Sequence, residues 1–135
     1  MKKYEILDHK ADLRIKVFGG TKEELFLNAL LGMNEGLHPE IQNSESEKRK
    51  IKIKSPDLSA LLVDFLNEIL RLSQTNMEIY DKTEFKELSD NEIETEVSGS
   101  RVEKFGEEIK AATYHDLSIS QDKEGIWETV VLFDV

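Results

Sequence analysis

The sequence of 135 residues contains no cysteine. Disulfide bonds and thiolate metal sites are therefore excluded, and any metal would need oxygen or nitrogen ligands. Residues 1–5 do not have the apolar run of a signal peptide, and no apolar stretch is long enough to span a bilayer. These absences predict a cytoplasmic protein that has no membrane partner.

Positive charge is scarce, since 18 lysines and arginines stand against 28 aspartates and glutamates, for a formal net charge of −10. Each phosphate contact needs a local cation, so this balance disfavours a large phosphate-binding surface. An acidic protein instead attracts a metal cation or a basic partner. We therefore expect no strong direct binding to nucleic acid.

Hydrophobic periodicity predicts two helices and a set of strands. The helices are expected at 21–37 and 56–73, and the strands at 3–9, 12–19, 50–54, 77–88, 92–99, 108–120 and 126–134. The polar segment 39–47 is expected to be a loop. Two helices covering one face of a sheet bury one core between two layers. The sequence thus predicts an α+β fold, a single two-layer domain over residues 1–135 with a mostly antiparallel or mixed sheet of about six strands.

Local signals mark where each helix starts. Thr21 and Glu24 form a capping-box pattern, in which the hydroxyl accepts from the Glu24 amide and the carboxylate reaches back. Ser55 and Pro56 predict the second start, with an N-cap hydroxyl followed by proline at the first helical position. A wide apolar stripe then runs from Leu58 to Leu72.

Two places near strand ends carry candidate metal ligands. Asp8, His9 and Asp12 lie between the first two strands, where short polar side chains commonly form turns but can also bind a metal or act in catalysis. At the other end of the chain, an apolar strand runs directly into Asp134 and Val135. Their carboxylate and carbonyl oxygens suit a hard cation such as calcium or magnesium.

Two further places have both a structural and a functional interpretation. Strand alternation over 109–115 places Lys110, Ala112 and Tyr114 on one face and His115 on the other, so that a ligand or partner could approach, although an ordinary edge strand explains the pattern as well. Asp64 and Glu68 lie one helical turn apart. Such a pair usually belongs to a solvated helix face, and as metal ligands these residues would need help from elsewhere.

In this order, the segments resemble the archease family over nearly the whole chain. The opening Asp8–Asp12 is similar to the family's Asp-His-Thr-Ala-Asp, with Lys10 in place of threonine. Four later segments match as well: Phe18-Gly19 with Glu24-Leu25-Phe26, the second helix from Ser55 to Glu68, Lys110 to His115, and Phe133-Asp134-Val135. Ser59 stands where a glutamate is common, and Ile109 replaces a valine.

The resemblance implies an accessory protein, not an enzyme. Archeases activate RtcB-type RNA ligases in tRNA splicing by promoting guanylylation of the ligase and restoring its turnover. The implied ligands of a divalent cation, calcium in the first place and magnesium as an alternative, are Asp12, Asp134 and Val135. Partner-contacting or orienting roles would fall to Asp8, His9, Asp64, Glu68, Lys110 and His115. Lys10 would lower the metal affinity, because it places a cation beside the ligands.

Two rival functions stay open. Asp8, Asp12 and Asp134 around an ion, with His9 or His115 as general base, would describe a metal-dependent hydrolase. No glycine-rich nucleotide loop or nucleophile motif supports self-contained catalysis. The second rival is a chaperone-like modulator of RNA-modifying enzymes, a role that the resemblance also allows.

Overall fold

A computed structural model describes residues 2–8 and 12–135, which form two α-helices and nine β-strands. The helices are α1 (Lys22–Gly36) and α2 (Leu58–Asn76). The strands are β1 (Tyr4–Asp8), β2 (Leu13–Gly19), β3 (Pro39–Glu45), β4 (Arg49–Lys54), β5 (Glu78–Leu88), β6 (Glu92–Phe105), β7 (Ala111–Thr113), β8 (Ser120–Gln121) and β9 (Trp127–Asp134). The predicted α+β class with two main helices is confirmed.

The strands are divided between two sheets, whereas we expected one sheet of about six strands. The first sheet has the order β1-β2-β9-β7, and β8 also pairs with β9. In the second sheet the 14-residue β6 pairs with β5 along one edge and with β4 and then β3 along the other. Because β6 is so long, it provides pairing positions for three strands. All these pairings are antiparallel.

Two strand predictions were wrong, for different physical reasons. The segment expected as a loop at 39–47 contains β3, which is exposed along nearly its whole length and pairs with β6 through its backbone. The segment expected as one strand at 108–120 contains only β7 and the first residue of β8. Asp116, with φ at 52°, adopts the left-handed conformation, which no regular strand accommodates.

The helix starts agree with the sequence for α1 and differ for α2. The Thr21 hydroxyl accepts a hydrogen bond from the Glu24 amide, and the Glu24 carboxylate accepts one from the Gly20 amide at 2.8 Å. The N-cap of α2 is Asp57 rather than Ser55, with its side chain accepting from the Ala60 amide. Ser55 is buried and donates its hydroxyl hydrogen to Asp64, and the helix begins two residues later than its position would require.

Both helices contact both sheets, and one cluster of buried side chains includes residues from all of them. The backbones of β2 and α1 approach closely at Gly19, where a Cβ would lie 2.4 Å from the Leu25 nitrogen. Since no other residue lacks a Cβ, this junction requires glycine. Over residues 2–8 and 12–135, neither helix is long and apolar enough to cross a membrane.

Candidate metal and partner site

The register between β2 and β9 brings Asp12 and Asp134 together. The last paired residues of these strands are Leu13 and Phe133, and Asp12, in a bend just before β2, and Asp134 are the next residues beyond that pair. Leu13 and Phe133 are buried in the core, and side chains alternate along a strand, so the two carboxylates lie on the outer face of the sheet. Directly opposed residues in antiparallel strands have Cβ atoms about 5 Å apart. We call this place the carboxylate corner.

The surroundings of the carboxylate corner are exposed and of mixed charge. The Asp12 carboxylate lies 3.8 Å from Arg14 Nε, and these side chains are 37% and 53% exposed. Val135 follows Asp134 and is 46% exposed. The backbone carbonyl of Asp134 accepts a hydrogen bond from the Lys110 amide at 2.8 Å, which ties the start of β7 to the same corner.

The donor atoms at this corner fit a hard divalent cation, because aspartate and main-chain oxygens are the ligands that calcium and magnesium prefer. Within residues 2–8 and 12–135, however, no three histidine, cysteine, aspartate or glutamate side chains lie close enough together to hold a metal. Among the described residues, a cation at this corner would have only the two carboxylates of Asp12 and Asp134 and an oxygen of Val135 as ligands. Asp8 ends β1, with its backbone opposite Arg14, and His9 lies outside the described residues.

The second-helix residues Asp64 and Glu68 do not act as a pair. Glu68 accepts two hydrogen bonds from the Arg71 guanidinium, at 2.6 and 3.0 Å. Asp64 accepts one hydrogen bond from Ser55 Oγ at 2.6 Å and another from the Tyr114 hydroxyl. That hydrogen bond to Asp64, together with partial burial, raises the pKa of Tyr114. Asp64 thereby connects α2 to the segment that follows β7.

Asn67 is a positioning residue to which the sequence analysis assigned no role. Its side-chain amide donates to the Ala112 carbonyl at 3.0 Å and accepts from the Ala112 amide at 2.8 Å. In the same way, Gln74 donates to the Ile109 carbonyl at 3.0 Å. The helix thus provides the second edge of β7 with hydrogen-bond partners, while β9 occupies the first. The available sequence signal was spacing, since Asn67 lies one helical turn beyond Asp64 on the same face.

Lys110 and His115 are both exposed on the segment around β7. The expected alternation was wrong here, because Ile109 and Ala112 are both buried, and only 111–113 has strand geometry. His115 Nε2 lies 3.2 Å from Asp116 Oδ2. His115 also borders a cavity of about 270 Å³ on the outer face of the first sheet, which is lined by Leu7, Arg14, His115, Asp116, Val130 and Leu132.

A second carboxylate centre, which the sequence analysis missed, lies in the other sheet. Glu78 is 2% exposed and accepts hydrogen bonds from Arg49 Nε at 3.1 Å, Arg49 Nη2 at 3.2 Å, the Tyr80 hydroxyl at 2.7 Å and the Glu47 amide at 3.2 Å. Burial acts to raise the pKa of Glu78, but these hydrogen bonds outweigh it and hold the pKa below its ordinary value. Burial and the bond to Glu78 raise the pKa of Tyr80.

Comparison with known proteins places this arrangement in a family. Residues 4–135 match the Archease protein family (MTH1598/TM1083). The protein archease of Methanosarcina mazei is 36% identical, with 99% of this chain and 97% of that protein covered. The protein archease of Methanosarcina barkeri is 34% identical over the same shares.

Solved structures agree with this placement. The solution structure of Methanobacterium thermoautotrophicum protein 1598 has a TM-score of 0.77 and 28% identity, with all of both chains covered. A crystal structure from Thermotoga maritima, described as an archease and possible chaperone, has a TM-score of 0.69, with 97% of this chain and 96% of that chain covered. At 23% identity, the second match supports the fold alone.

Proposed function

Since the chain belongs to the archease family, we propose that it is an accessory protein that activates an RtcB-type RNA ligase in tRNA splicing and RNA repair, without turnover of its own. The activation would consist of promoting guanylylation of the ligase's active-site histidine and so restoring multiple turnover. The observation that carries the proposal is the carboxylate corner, where Asp12 and Asp134 oppose each other on an exposed sheet face.

The geometry of that corner supports the binding of a divalent cation. Two carboxylates about 4 Å apart repel each other by roughly 1 kcal/mol in water and by more when a partner excludes the water. A divalent cation, calcium in the first place, would offset this repulsion and would be held by Asp12, Asp134 and an oxygen of Val135. The positive charge of the bound cation could then contact the nucleotide-binding centre of the ligase.

The elements around the corner hold it in position for such a contact. The backbone bond from Lys110 to Asp134 fixes the end of β9, and Asn67 fixes β7 against α2. The exposed Lys110 and His115 lie at the two ends of this fixed segment, where they can contact the ligase. The net charge of −10 favours a partner with a basic surface, such as an RNA-processing enzyme.

Single-turnover guanylylation of an RtcB-type ligase tests this proposal. We expect the wild-type protein to accelerate the reaction, and Asp12→Asn and Asp134→Asn to lose at least tenfold of that acceleration. Glu84→Gln is a matched control, because it removes one negative charge from an exposed position of β5 in the other sheet. An absence of stimulation by folded wild-type protein, or equal activity of all three variants, would contradict the proposal.

Two other functions predict different results. A chaperone-like modulator, the description given to the Thermotoga relative, would protect a client enzyme from aggregation without any change in guanylylation. A metal-dependent hydrolase would cleave a phosphate ester with magnesium, manganese or calcium and would lose that activity in Asp12→Ala.

A further inference from the structure

We infer that Arg14 is a competing counter-ion for Asp12, so that a divalent cation binds at the carboxylate corner only by displacing the Arg14 guanidinium. This inference rests on the cation site of the proposed function. In this role, Arg14 limits the affinity of the site for cations.

The position of Arg14 leads to this inference. Arg14 is the second residue of β2 and Asp12 immediately precedes that strand, so side-chain alternation about the buried Leu13 places both on the outer face. Arg14 Nε lies 3.8 Å from Asp12 Oδ1, which is within ion-pair range but too long for a hydrogen bond. Both side chains are exposed, at 53% and 37%. The pair therefore contributes little to stability and can be exchanged for another cation at little cost.

Electrostatics makes the two cations competitors for Asp12. A calcium ion lies about 2.4 Å from a carboxylate oxygen, which would put it within roughly 6 Å of the guanidinium as it is now placed. Repulsion between a single and a double positive charge at that distance corresponds to about a tenfold change in affinity in water. Arg14 therefore has to move away when the ion binds, and the ion has to compete with it.

The cavity on the outer face gives Arg14 a place to go. Arg14 already lines this cavity together with Leu132 and Asp116, so its aliphatic stem can stay packed while the head turns from Asp12 toward Asp116. Arginine side chains commonly keep their methylene groups on apolar surface while the charged head moves in water. The displacement needs no change in the backbone of β2.

Lys16 provides a matched control on the same strand and face. It lies two residues farther along β2 from the corner than Arg14, which adds about 7 Å, and its ammonium lies 5.4 Å from the centre of the Phe18 ring. The Lys16 charge is therefore far enough from the cation at the corner to be largely screened at physiological salt. Removing the Lys16 charge should therefore change the affinity much less than removing that of Arg14.

The test is calorimetric titration with calcium chloride of the wild type, Arg14→Gln, Arg14→Lys and Lys16→Gln. We expect Arg14→Gln to bind calcium up to about fivefold more tightly, because the ion no longer has to break the exposed Arg14–Asp12 pair. Arg14→Lys should stay near the wild type, and Lys16→Gln should change the affinity by less than about twofold. In the wild type, the NMR resonance of the Arg14 Nε–H group should move as calcium is added. Asp12→Asn should abolish the binding in every background.

The titrations distinguish a failure of the role given to Arg14 from a failure of the cation site itself. If calcium binds and Asp12→Asn abolishes the binding, but Arg14→Gln leaves the affinity unchanged or weaker, the cation site stands and the role given to Arg14 is overturned. If Asp12→Asn binds calcium as the wild type does, or neither protein binds it, the cation site and the role of Arg14 are both overturned.

Discussion

The two sheets each hold a carboxylate centre, and the two centres treat the same chemical group in opposite ways. In the second sheet, Glu78 is almost fully buried and accepts four hydrogen bonds. In the first sheet, Asp12 and Asp134 oppose each other at an exposed sheet end, with Arg14 as a loose counter-ion. A carboxylate whose partners are complete stabilises the fold, whereas carboxylates that repel each other are suited to binding a ligand.

The comparison also explains why Glu78 has a complete set of hydrogen-bond partners and the carboxylates of the corner do not. A buried charge costs several kcal/mol unless its hydrogen-bonding capacity is satisfied by nearby groups. Arg49, Tyr80 and the Glu47 amide do this for Glu78. At the corner, water solvates the carboxylates, so the fold tolerates an incomplete set of partners there, as the proposed cation site requires.

The largest expected effect comes from removing the partner of the buried carboxylate. Arg49→Met should lower the free energy of unfolding by about 3 kcal/mol, because it leaves the charge of Glu78 without its counter-ion. Arg71→Met is the matched control, since it breaks a similar two-bond pair with Glu68 that is exposed to solvent and should therefore contribute much less to stability. Urea denaturation measures both, and equal losses would remove the distinction between buried and exposed pairs.

A second prediction concerns pH. Glu78→Gln should cost about 2 kcal/mol at pH 7, because hydrogen bonds to a charged group are replaced by weaker ones. The pKa of Glu78 is lower in the folded protein than its ordinary value, so its contribution is complete above that ordinary value and is lost as the pH falls through the folded value. The difference in stability between wild type and variant should therefore narrow below about pH 4.5. A constant difference down to pH 2 would contradict the assigned pKa shift.

Asn67→Ala tests how the corner is held in place. The substitution removes both hydrogen bonds to Ala112 and should cost about 2 kcal/mol. The Ala112 amide should also exchange its hydrogen with solvent at least tenfold faster. Gln74→Ala, which loses one hydrogen bond to Ile109, should cost about half as much. Unchanged exchange at Ala112 would show that β9 alone holds β7.

The smallest expected effect has the opposite sign. Without added cation, Asp134→Asn should stabilise the protein by about 0.5 kcal/mol at low salt, because it relieves repulsion with Asp12. Raising the salt concentration should remove the gain. Thermal unfolding of the variant and the wild type in parallel measures this difference. A loss of stability in Asp134→Asn would mean that the corner is a structural centre of the same kind as Glu78.

Much of the fold could be predicted from local sequence patterns. The apolar stripe from Leu58 onward predicted α2, and the alternation of Leu13, Ile15 and Val17 predicted β2, because both record which side chains face the core. The exposed β3 could not be predicted in this way, since its side chains are not buried and its sequence therefore shows no alternation of apolar and polar residues. The end of β7 was not predicted because Asp116 adopts a left-handed backbone conformation. Aspartate tolerates this conformation, but its presence in a sequence does not predict it.

The candidate site was predictable only as a pair of segments distant in the chain. Asp12 and Asp134 could be named from the sequence, but their opposition depends on the register between β2 and β9. The Glu78 centre gave only part of its signal locally, because Tyr80 lies two residues away on β5 whereas Arg49 reaches Glu78 from β4. Contacts between such strands follow from the three-dimensional arrangement of the sheets.

The most direct test of the contrast between the two centres is a calcium titration of the isotopically labelled protein followed by its amide NMR spectrum. We predict saturable shifts at Asp12, Leu13, Asp134 and Val135, none at Glu78 or Tyr80, and loss of the shifts in Asp134→Asn. Saturable shifts that persist in Asp134→Asn, or a spectrum that calcium does not change, would contradict the assignment of the corner as a cation site.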